Sequence, residues 1–411
     1  MKKNLMSVAV LGALGAFAGV AQAQSTVTLY GILDTYVQSY KTNVASGFVA
    51  PSGTSAGSPG IIQSRTLSKI DGGGLSGNRW GMRISEDLGG GLLAVANFES
   101  GFAPDTGASN QGGRLFGRRA TVGLAGGLGT VTVGRNASSY SDAVYNLAIN
   151  GTVFDPAYGN TGAPVLPAQA AAIQGNATNA AAFLRQGGFT GATWIGSTIW
   201  FDNSIKYISP TFAGFSGSVM LALGEDKTQT TSATKSVSGN LKYVSGPFAI
   251  VGGYQSEGYA PILAGSKPEL QNTFAMATYD FGVARLGAAV NRAKYKDVVA
   301  PAGLGGGAFK PQNEFSLSVD VPLGATTLSA AYARGKGDTL GQSSGLGVQA
   351  IYALSKRTNL YAGAVSAKTF DRLTSAINGG APGVTNALGF TGGASDTGRL
   401  QIYGVGLRHR F

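Results

Sequence analysis

The last residues of the chain, Tyr403–Phe411, read YGVGLRHRF. One face of this stretch, taken in steps of two, holds Tyr403, Val405, Leu407, His409 and Phe411, and the other holds Gly404, Gly406, Arg408 and Arg410. A two-residue period predicts a β-strand whose faces meet different environments. In a soluble protein the arginines would face water and the apolar residues a core. In a membrane-spanning strand the arginines would face a wet interior and the apolar residues lipid.

The same alternation recurs along the chain. It is clear in TVTLYGILDTYV (26–37), NRWGMRIS (78–85) and NSIKYIS (203–209). We predict sixteen strands, at 25–40, 64–86, 91–102, 113–125, 129–136, 198–209, 214–224, 236–246, 247–257, 269–280, 283–296, 312–322, 326–336, 343–354, 359–370 and 399–411. The second is predicted to be interrupted at DGGG (71–74).

The connections between these strands alternate in length. Short turns rich in Gly, Pro and Asp are predicted at 86–91, 125–129, 209–215, 245–247, 279–282, 322–325 and 355–358. Long polar joints are predicted at 41–63, 103–112, 137–197, 225–235, 258–268, 297–311, 337–343 and 371–398. Strict alternation favours a closed transmembrane β-barrel, which leaves no open edge in lipid, over a secreted β-sandwich or solenoid.

The beginning of the chain predicts export. Lys2 and Lys3 precede the apolar run LMSVAVLGALGAFAGV, and AQA at 21–23 resembles a signal-peptidase site. We therefore expect a cleaved signal peptide at 1–23 and one barrel domain at 24–411. No later stretch offers about 18 uninterrupted apolar residues, so no transmembrane helix is predicted.

Composition narrows the function classes. The 411 residues include 65 Gly and no Cys, so neither a disulfide nor thiolate chemistry is available. The formal charge of +11 becomes +9 once Lys2 and Lys3 are removed. Export and the lack of a basic run argue against nucleic acid as a partner, which leaves anionic lipid or an anionic solute.

An enzyme is not expected. His409 is the only His of the chain, and its parity places it on the apolar face. A Ser-His-Asp site needs an oriented His, and a His- or Cys-based metal site needs several ligands. The Gly-rich stretches lack the Lys and helix of a phosphate-binding loop. We predict no catalytic residue, no metal and no cofactor.

Five segments, in order, resemble the trimeric Gram-negative porins, in particular the β-proteobacterial branch: STVTLYGILD, LSGNRWGMRISEDLGGGL, ATVGLAGGLGTVTVGRN, DNSIKYISP and YGVGLRHRF. The resemblance implies a 16-stranded antiparallel barrel in the outer membrane of a Gram-negative cell, a homotrimer, and a third external loop folded into the pore. It also implies contact with outer-membrane lipid and lipopolysaccharide, and a terminal Phe411 read by the assembly machinery. The chain departs from its relatives at Trp200, where they often carry Arg.

Arginines concentrate in the second to fifth strands. Arg79 and Arg83 lie opposite Trp80 and Met82, so they are predicted to face the lumen, because an arginine facing lipid at mid-depth costs about 2–4 kcal/mol. Arg118 and Arg119 have opposite parity. Plain alternation turns Arg119 inward, whereas the resemblance favours Arg118 and would require a bulge. Arg135 shares parity with outward residues and is expected at the root of the third loop or at a subunit interface.

Acidic residues are predicted to face these arginines across the pore. The third loop, about 137–197, carries Asp142 and Asp155, and long loops of this kind are usually functional. The resemblance places acidic loop residues opposite the wall arginines, which would give a transverse field across a narrow wet slot. Asp34 and Glu99 are further candidate acids on the inner face.

These observations predict a diffusion channel for small hydrophilic solutes that prefers anions because of a basic constriction. Three alternatives stay open. The first is a porin specific for one anion, such as phosphate or a dicarboxylate. The second is a non-conducting barrel acting as an adhesin or anchor. The third is a soluble secreted β protein.

Overall fold

A computed structural model of the chain provides the coordinates. It describes residues 25–42, 65–144, 152–157, 193–225, 227, 233–259, 267–298, 300, 306–372 and 399–411. The predicted signal peptide, 1–23, and most of the third loop lie outside the described residues.

Seventeen strands form one sheet in the described part of the chain. They are β1 (Thr26–Thr42), β2 (Arg65–Gly72), β3 (Arg79–Gly89), β4 (Leu92–Gly101), β5 (Arg119–Gly126), β6 (Gly129–Ala137), β7 (Trp200–Ile208), β8 (Phe215–Leu223), β9 (Lys235–Ser245), β10 (Phe248–Gly258), β11 (Glu269–Asp280), β12 (Arg285–Lys296), β13 (Gln312–Leu323), β14 (Thr326–Gly337), β15 (Gly341–Ala353), β16 (Thr358–Lys368) and β17 (Arg399–Arg410). Each strand from β3 onward pairs antiparallel with the next, and β17 pairs with β1. The sheet is therefore a closed barrel.

The barrel has sixteen positions because β2 and β3 share one of them. Both pair with β1. β2 pairs with residues 35–42 of β1, and β3 pairs with residues 26–32. Residues 73–78 leave the ladder between them, and Gly73 there has a φ of 87°, which favours glycine. The interruption predicted at DGGG is confirmed.

The register decides which residues face outward. In antiparallel ladders, directly paired residues share a face, and Val27 pairs with Ile84 while Leu29 pairs with Met82. Val27 and Leu29 are 64% and 61% exposed, whereas Asp34 on the opposite face is 0% exposed. The apolar face therefore points outward and the polar face points into the barrel, which is the reverse of the arrangement in a soluble protein.

The terminal strand follows the same rule. Val405 is 58% exposed on the outer face of β17. On the inner face, Gly404 and Gly406 pack against the rings of Tyr36 and Tyr361, where a side chain would overlap those rings. Arg408, also on this face, pairs with Asp34 and donates to Asn359 (2.9 Å). The alternation of YGVGLRHRF is therefore explained by an apolar exterior and a polar interior.

Connection lengths match the prediction with two differences. Seven short turns lie at one end of the barrel, between β3 and β4 and at every second joint after it. At the other end, residues 338–340 alone join β14 to β15, so the long joint predicted at 337–343 is wrong. β5 begins at Arg119 rather than at 113, because residues 110–118 form a short irregular helical turn, α1 (Asn110–Gly113), and an extended segment.

The third loop, residues 138–199, lies inside the barrel where it is described. It begins with a short helix, α2 (Ser139–Val144), whose Tyr140 hydroxyl donates to Asn291 on the inner face of β12 (3.0 Å). Phe154 then packs on Tyr361, with ring centroids 6.3 Å apart. On the return, the backbone N–H of Ile195 donates to the Glu314 carboxylate of β13. The folding of the third loop into the pore is confirmed.

Neither α1 nor α2 is long enough to cross a membrane, and no other helix in the described residues is long and apolar enough either.

Candidate functional site

Four arginines converge on the inner wall formed by β3, β4 and the start of β5. We call this surface, Arg79, Arg83, Arg118 and Arg119, the basic wall. Arg83 pairs with Thr28 and Arg79 with Ile32 of β1. Both therefore stand on the same face as Asp34, which points into the barrel.

Aromatic and hydroxyl groups of neighbouring segments hold two of these guanidinium groups. The Arg83 guanidinium lies 4.1 Å from the centroid of the Tyr30 ring, a cation–π contact. Arg79 donates to the hydroxyl of Ser76 (2.5 Å), which lies in the segment 73–78 between β2 and β3. Arg83 is exposed to the lumen, whereas Arg79 is partly buried.

The side chains of Arg118 and Arg119 both turn inward, and no bulge is needed. Arg119 pairs directly with Glu99 and so stands on the inner face of β5. Arg118 precedes the strand, and its Nε donates to the Glu99 carboxylate (2.7 Å). Because Arg118 lies outside the regular ladder, its side chain can turn inward beside that of Arg119. Both arginines thus surround Glu99.

Three further residues, not predicted as part of the site, support the basic wall. Tyr30 donates to Glu99 (2.9 Å) and also lies 3.1 Å from the side-chain oxygen of Asn97. Trp200 lies under the Arg118 guanidinium, which is 5.0 Å from its ring centroid. The inward parity of Tyr30 and Asn97 was a signal available in the sequence. Trp200, the departure from the porin pattern, supports an arginine here instead of supplying one.

The two third-loop acids occupy different places. Asp142 in α2 lies 2.5 Å from the Lys206 ammonium group of β7, and its side chain is 42% exposed. Lys206 also donates to the carbonyl of Ala137 at the root of the loop (2.8 Å). Asp155 is only 3% exposed, and its carboxylate accepts the N–H of Ala157 (2.8 Å). The first acid borders the lumen, and the second is enclosed between the loop and the wall.

Asp34 lies on the inner face but is enclosed. Its carboxylate accepts the backbone N–H groups of Leu75 (2.8 Å) and Ser76 (2.7 Å) and the hydroxyl of Tyr361. Its backbone N–H and C=O bond the side chain of Asn78. With 0% exposure, Asp34 ties the interrupted segment to the wall and presents no carboxylate to the lumen. A part for Asp34 in the constriction stays a prediction.

Arg135 lies on the outer face, paired with Ala120 of β5. Its Nε donates to the carbonyl of Gly117 (2.7 Å), and its guanidinium forms an ion pair with Asp202 (2.6 Å). Asp202 also binds Arg114 (2.7 Å). These contacts tie the connection between β4 and β5 to the start of β7, at the return of the third loop.

Phe411 closes the seam of the barrel. Its backbone N–H and C=O bond Gly31 of β1, both at 3.2 Å. Its ring packs on the same glycine, where a Cβ would overlap the ring. At 43% exposure the ring belongs to the outer surface, beside the short turns.

The described parts of the third loop and the basic wall lie on different parts of the inner face. The described parts of the third loop cover the inner faces of β9 to β17, and the basic wall stands on β3 to β5. Four arginines against one Glu99 leave this wall strongly cationic. In the described part of the third loop, Asp142 carries a partly exposed carboxylate. No cluster of three or more metal-ligating side chains occurs among the described residues.

A family profile described as Gram-negative porin matches residues 8–371. The chain belongs to the Gram-negative porin family. A curated relative agrees: the porin is 32% identical to outer membrane porin protein 32 of Delftia acidovorans over 100% of both chains. It is therefore an outer-membrane β-barrel that acts as a diffusion channel in a Gram-negative cell envelope.

Solved structures share the fold. An anion-selective porin from Comamonas acidovorans is similar, with a TM-score of 0.68 and 24% identity, over 94% of this porin and 100% of that chain. The trimer form of OmpT from Vibrio cholerae is similar with a TM-score of 0.55 and 15% identity, over 94% of this porin and 99% of that chain. At these identities the likeness concerns the fold.

Proposed function

We propose that this porin is a homotrimeric channel that passes small hydrophilic solutes and prefers anions, with the basic wall as its selectivity element. The observation that carries the proposal is the excess of cations on the inner wall, where one carboxylate, Glu99, stands among four arginines. The name of the similar Comamonas protein, an anion-selective porin, is in keeping with it.

Asp142 supplies the opposite side of the slot in this proposal. Its carboxylate is engaged by Lys206 but remains partly exposed. A positive wall facing a weaker negative loop gives a field across the channel, and low-dielectric walls focus such fields. Asp155 acts behind the channel lining, where it stabilises the turn at 152–157.

The test is the zero-current potential of the purified porin in a planar bilayer under a salt gradient. We expect a sign that corresponds to anion preference at 0.1 M salt, with ohmic, non-saturating conductance. Saturation by phosphate or a dicarboxylate would favour the substrate-specific alternative. Cation preference at 0.1 M salt would contradict the basic wall as the selectivity element.

A stable homotrimer is the second part of the proposal, in line with the trimer form of the similar Vibrio protein. Ala96 lies on the outer face of β4 and pairs with Ile84 and Val122, in a surface of small and apolar residues suited to close packing. We expect unheated electrophoresis in mild detergent to give one trimer-sized band. Ala96→Trp should convert that band to the monomer, because the indole leaves no room for close packing.

The matched control is Ala330→Trp, on the outer face of β14 and far around the barrel, which should leave the trimer intact. A monomer by light scattering and crosslinking of the unaltered protein would refute the homotrimer. If the trimer tolerates Ala96→Trp, the subunit interface does not include this part of β4.

Phe411 acts as an assembly signal in this proposal, recognised by the outer-membrane insertion machinery. Deleting Phe411 should lower the amount in the outer membrane several-fold. Refolding into detergent should survive, because the deletion removes only two backbone bonds to Gly31 and the packing of one ring on that glycine. Leu407→Ala, which also trims an exposed apolar side chain of β17, is the control and should assemble normally. Equal surface amounts after the deletion would argue for a purely interfacial role.

The remaining parts of the proposal follow from export. Residues 1–23 are a signal peptide removed before insertion, and the barrel domain is 24–411. Arg135 secures the external connections next to the proposed subunit interface. N-terminal sequencing of the outer-membrane protein, with Gln24 expected as the first residue, checks the cleavage site.

A further inference from the structure

Residues 73–78, between β2 and β3, fold into the interior of the barrel, and we call them the inward segment. The N–H of Leu75 bonds the carboxylate of Asp34, which stands on the inner face of β1 (2.8 Å). A Cβ on Gly74 would overlap the hydroxyl of Tyr361, which belongs to the inner face of β16. The inward segment therefore lies on the inner surface of the wall and not within its hydrogen-bonded ladder.

The inward segment meets the third loop on one side. The N–H of Val153 in that loop donates to the carbonyl of Gly74 (2.7 Å). Leu75 is 5% exposed and belongs to one apolar cluster with Val153, Phe154 and inner-face residues of β1, β16 and β17. The inward segment and this part of the third loop thus form one continuous layer on the inner face of those strands.

The inward segment meets the basic wall on its other side. The hydroxyl of Ser76 accepts a hydrogen bond from Arg79 (2.5 Å). A Cβ on Gly77 would lie 3.3 Å from Nη1 of Arg118. The inward segment therefore connects the third loop to two of the four arginines of the basic wall.

Position 77 is open on the side that faces the channel. Arg118 is the only described residue with a heavy atom within 4 Å of a Cβ placed on Gly77. Gly77 is half-buried, whereas Gly73 and Gly74, nearer the third loop, are buried. The φ of Gly77 also lies outside the left-handed region, so a larger residue meets no backbone strain. A side chain at this position would therefore enter the space beside the Arg118 guanidinium.

We propose that the inward segment is a specificity-determining element of the channel, with position 77 facing the passing solutes. The segment narrows the passage between the third loop and the basic wall, and glycine at 77 leaves the Arg118 guanidinium open to an anion. Four arginines and Glu99 give the basic wall a net charge of +3. A carboxylate at 77 would lower it to +2 and bind Arg118, and an ammonium group would raise it to +4. The effect on selectivity rests on the proposed function of the basic wall, whereas the narrowing does not.

The test begins with Gly77→Asp and Gly77→Lys, measured as the zero-current potential of the purified porin in a planar bilayer at 0.1 M salt. One charge about 7 Å from a passing anion changes the local enrichment of that anion by about 1.6-fold after screening. Gly77→Asp should lower the anion preference by this factor, and Gly77→Lys should raise it by the same factor. Gly77→Asn has the size of Asp without its charge and should stay within about 1.2-fold of the unaltered porin.

Position 127 provides the matched control. Gly127 lies in the exposed turn between β5 and β6, and a Cβ there meets no described atom within 4 Å. The turn is roughly 25 Å along β5 from Arg119, beyond the Debye length of about 10 Å at 0.1 M salt. Gly127→Asp and Gly127→Lys should therefore leave the potential of the unaltered porin unchanged.

A second experiment adds the charge after the barrel has folded. The chain contains no Cys, so Gly77→Cys supplies a single thiol in each subunit. A sulfonate-bearing methanethiosulfonate should lower the anion preference, and a trimethylammonium-bearing one should raise it, each by about 1.6-fold. Neutral N-ethylmaleimide should reduce the conductance by about a quarter or more, because the added group narrows the passage. Gly127→Cys, labelled to the same extent by mass spectrometry, should show none of these changes.

Opposite shifts of the potential at position 77, with none at position 127, support the proposal. Unmoved potentials in Gly77→Asp and Gly77→Lys, or equal shifts at 127, overturn it. If these two variants do not fold, labelled Gly77→Cys decides the question. A thiol that does not react in the folded channel, or labels that change neither potential nor conductance, would be equally decisive against position 77.

The Gln variant of Arg79, Arg83 and Arg119, measured in the same bilayers, separates this proposal from the proposed function. If that variant shifts the potential and the variants at 77 do not, the inward segment loses its role and the basic wall keeps its own. If that variant leaves the potential unmoved while the neutral label at 77 reduces the conductance, the basic wall fails as the selectivity element and the narrowing by the inward segment stands.

Discussion

Replacing Arg79, Arg83 and Arg119 together with Gln shifts the zero-current potential of the channel toward cation preference. None of these three arginines forms an ion pair with the described residues, so no partner carboxylate cancels their charges. Arg118 is left in place because it is paired with Glu99 (2.7 Å) and its removal would expose that carboxylate. The substitution keeps hydrogen-bonding capacity and side-chain length close to the original.

The size of the shift follows from Coulomb's law. An anion about 7 Å from one arginine gains about 0.6 kcal/mol in water, and three arginines give about 1.8 kcal/mol. Screening at 0.1 M salt, with a Debye length of about 10 Å, halves this to about 0.9 kcal/mol, or roughly a fourfold enrichment of anions. At 1 M salt the Debye length is about 3 Å and the preference should vanish.

The control for selectivity is K227Q/K356Q/R357Q, which removes three charges outside the lumen and should leave the potential unchanged. Folded yield and the trimer band should be the same in all three proteins. An unmoved potential in the arginine variant would refute the basic wall as the selectivity element. The assignment to the porin family would stand, because it depends on the sequence match and the fold.

Asp34→Ala lowers the thermal stability of the barrel and leaves selectivity almost unchanged. The substitution leaves three donors without their acceptor, the N–H groups of Leu75 and Ser76 and the hydroxyl of Tyr361, around a carboxylate that is 0% exposed. Each buried donor without a partner costs about 1–3 kcal/mol, so the total reaches several kcal/mol. The temperature at which unheated electrophoresis loses the folded band measures the effect.

Asp87→Ala is the matched control, since the Asp87 carboxylate also accepts a backbone N–H, that of Gly89 (2.8 Å), but in an exposed turn. It should cost less than about 1 kcal/mol, because water can replace the lost acceptor. The opposite pattern would restore Asp34 to the constriction: a stable Asp34→Ala protein whose anion preference rises. Both readouts are therefore needed on the same sample.

The fold could be predicted from the sequence because a barrel wall is specified locally. Along β12, outward and inward residues alternate without a break, and the register only repeats this pattern on the neighbouring strands. Glycine-rich turn sequences identify every second connection between strands. The connection at 338–340 was missed because GKGDTLGQ has the polar composition of a long loop, and composition does not reveal where pairing stops.

The site was less predictable because parity fixes a face but not what covers it. Parity was enough to place Arg79 and Arg83 on the inner face and Arg135 on the outer. It could not separate Glu99, which borders the arginines, from Asp34, which is enclosed by residues 73–78. It also could not foresee Arg118 turning in from outside the ladder onto Trp200, since side-chain direction there depends on an irregular segment.

By itself, the sequence determined an exported, closed barrel with an apolar outside and a polar inside. The reason is that a two-residue alternation shows that one face of each strand meets lipid and the other meets water. Only the tertiary structure decided which inner residues meet the channel. That depends on the third loop, whose Tyr140, Phe154 and Ile195 cover one part of the wall through contacts 119–207 residues away along the chain, such as Phe154 on Tyr361 and Ile195 on Glu314. Contacts so distant in sequence leave no local periodicity, and folding alone brings their residues together.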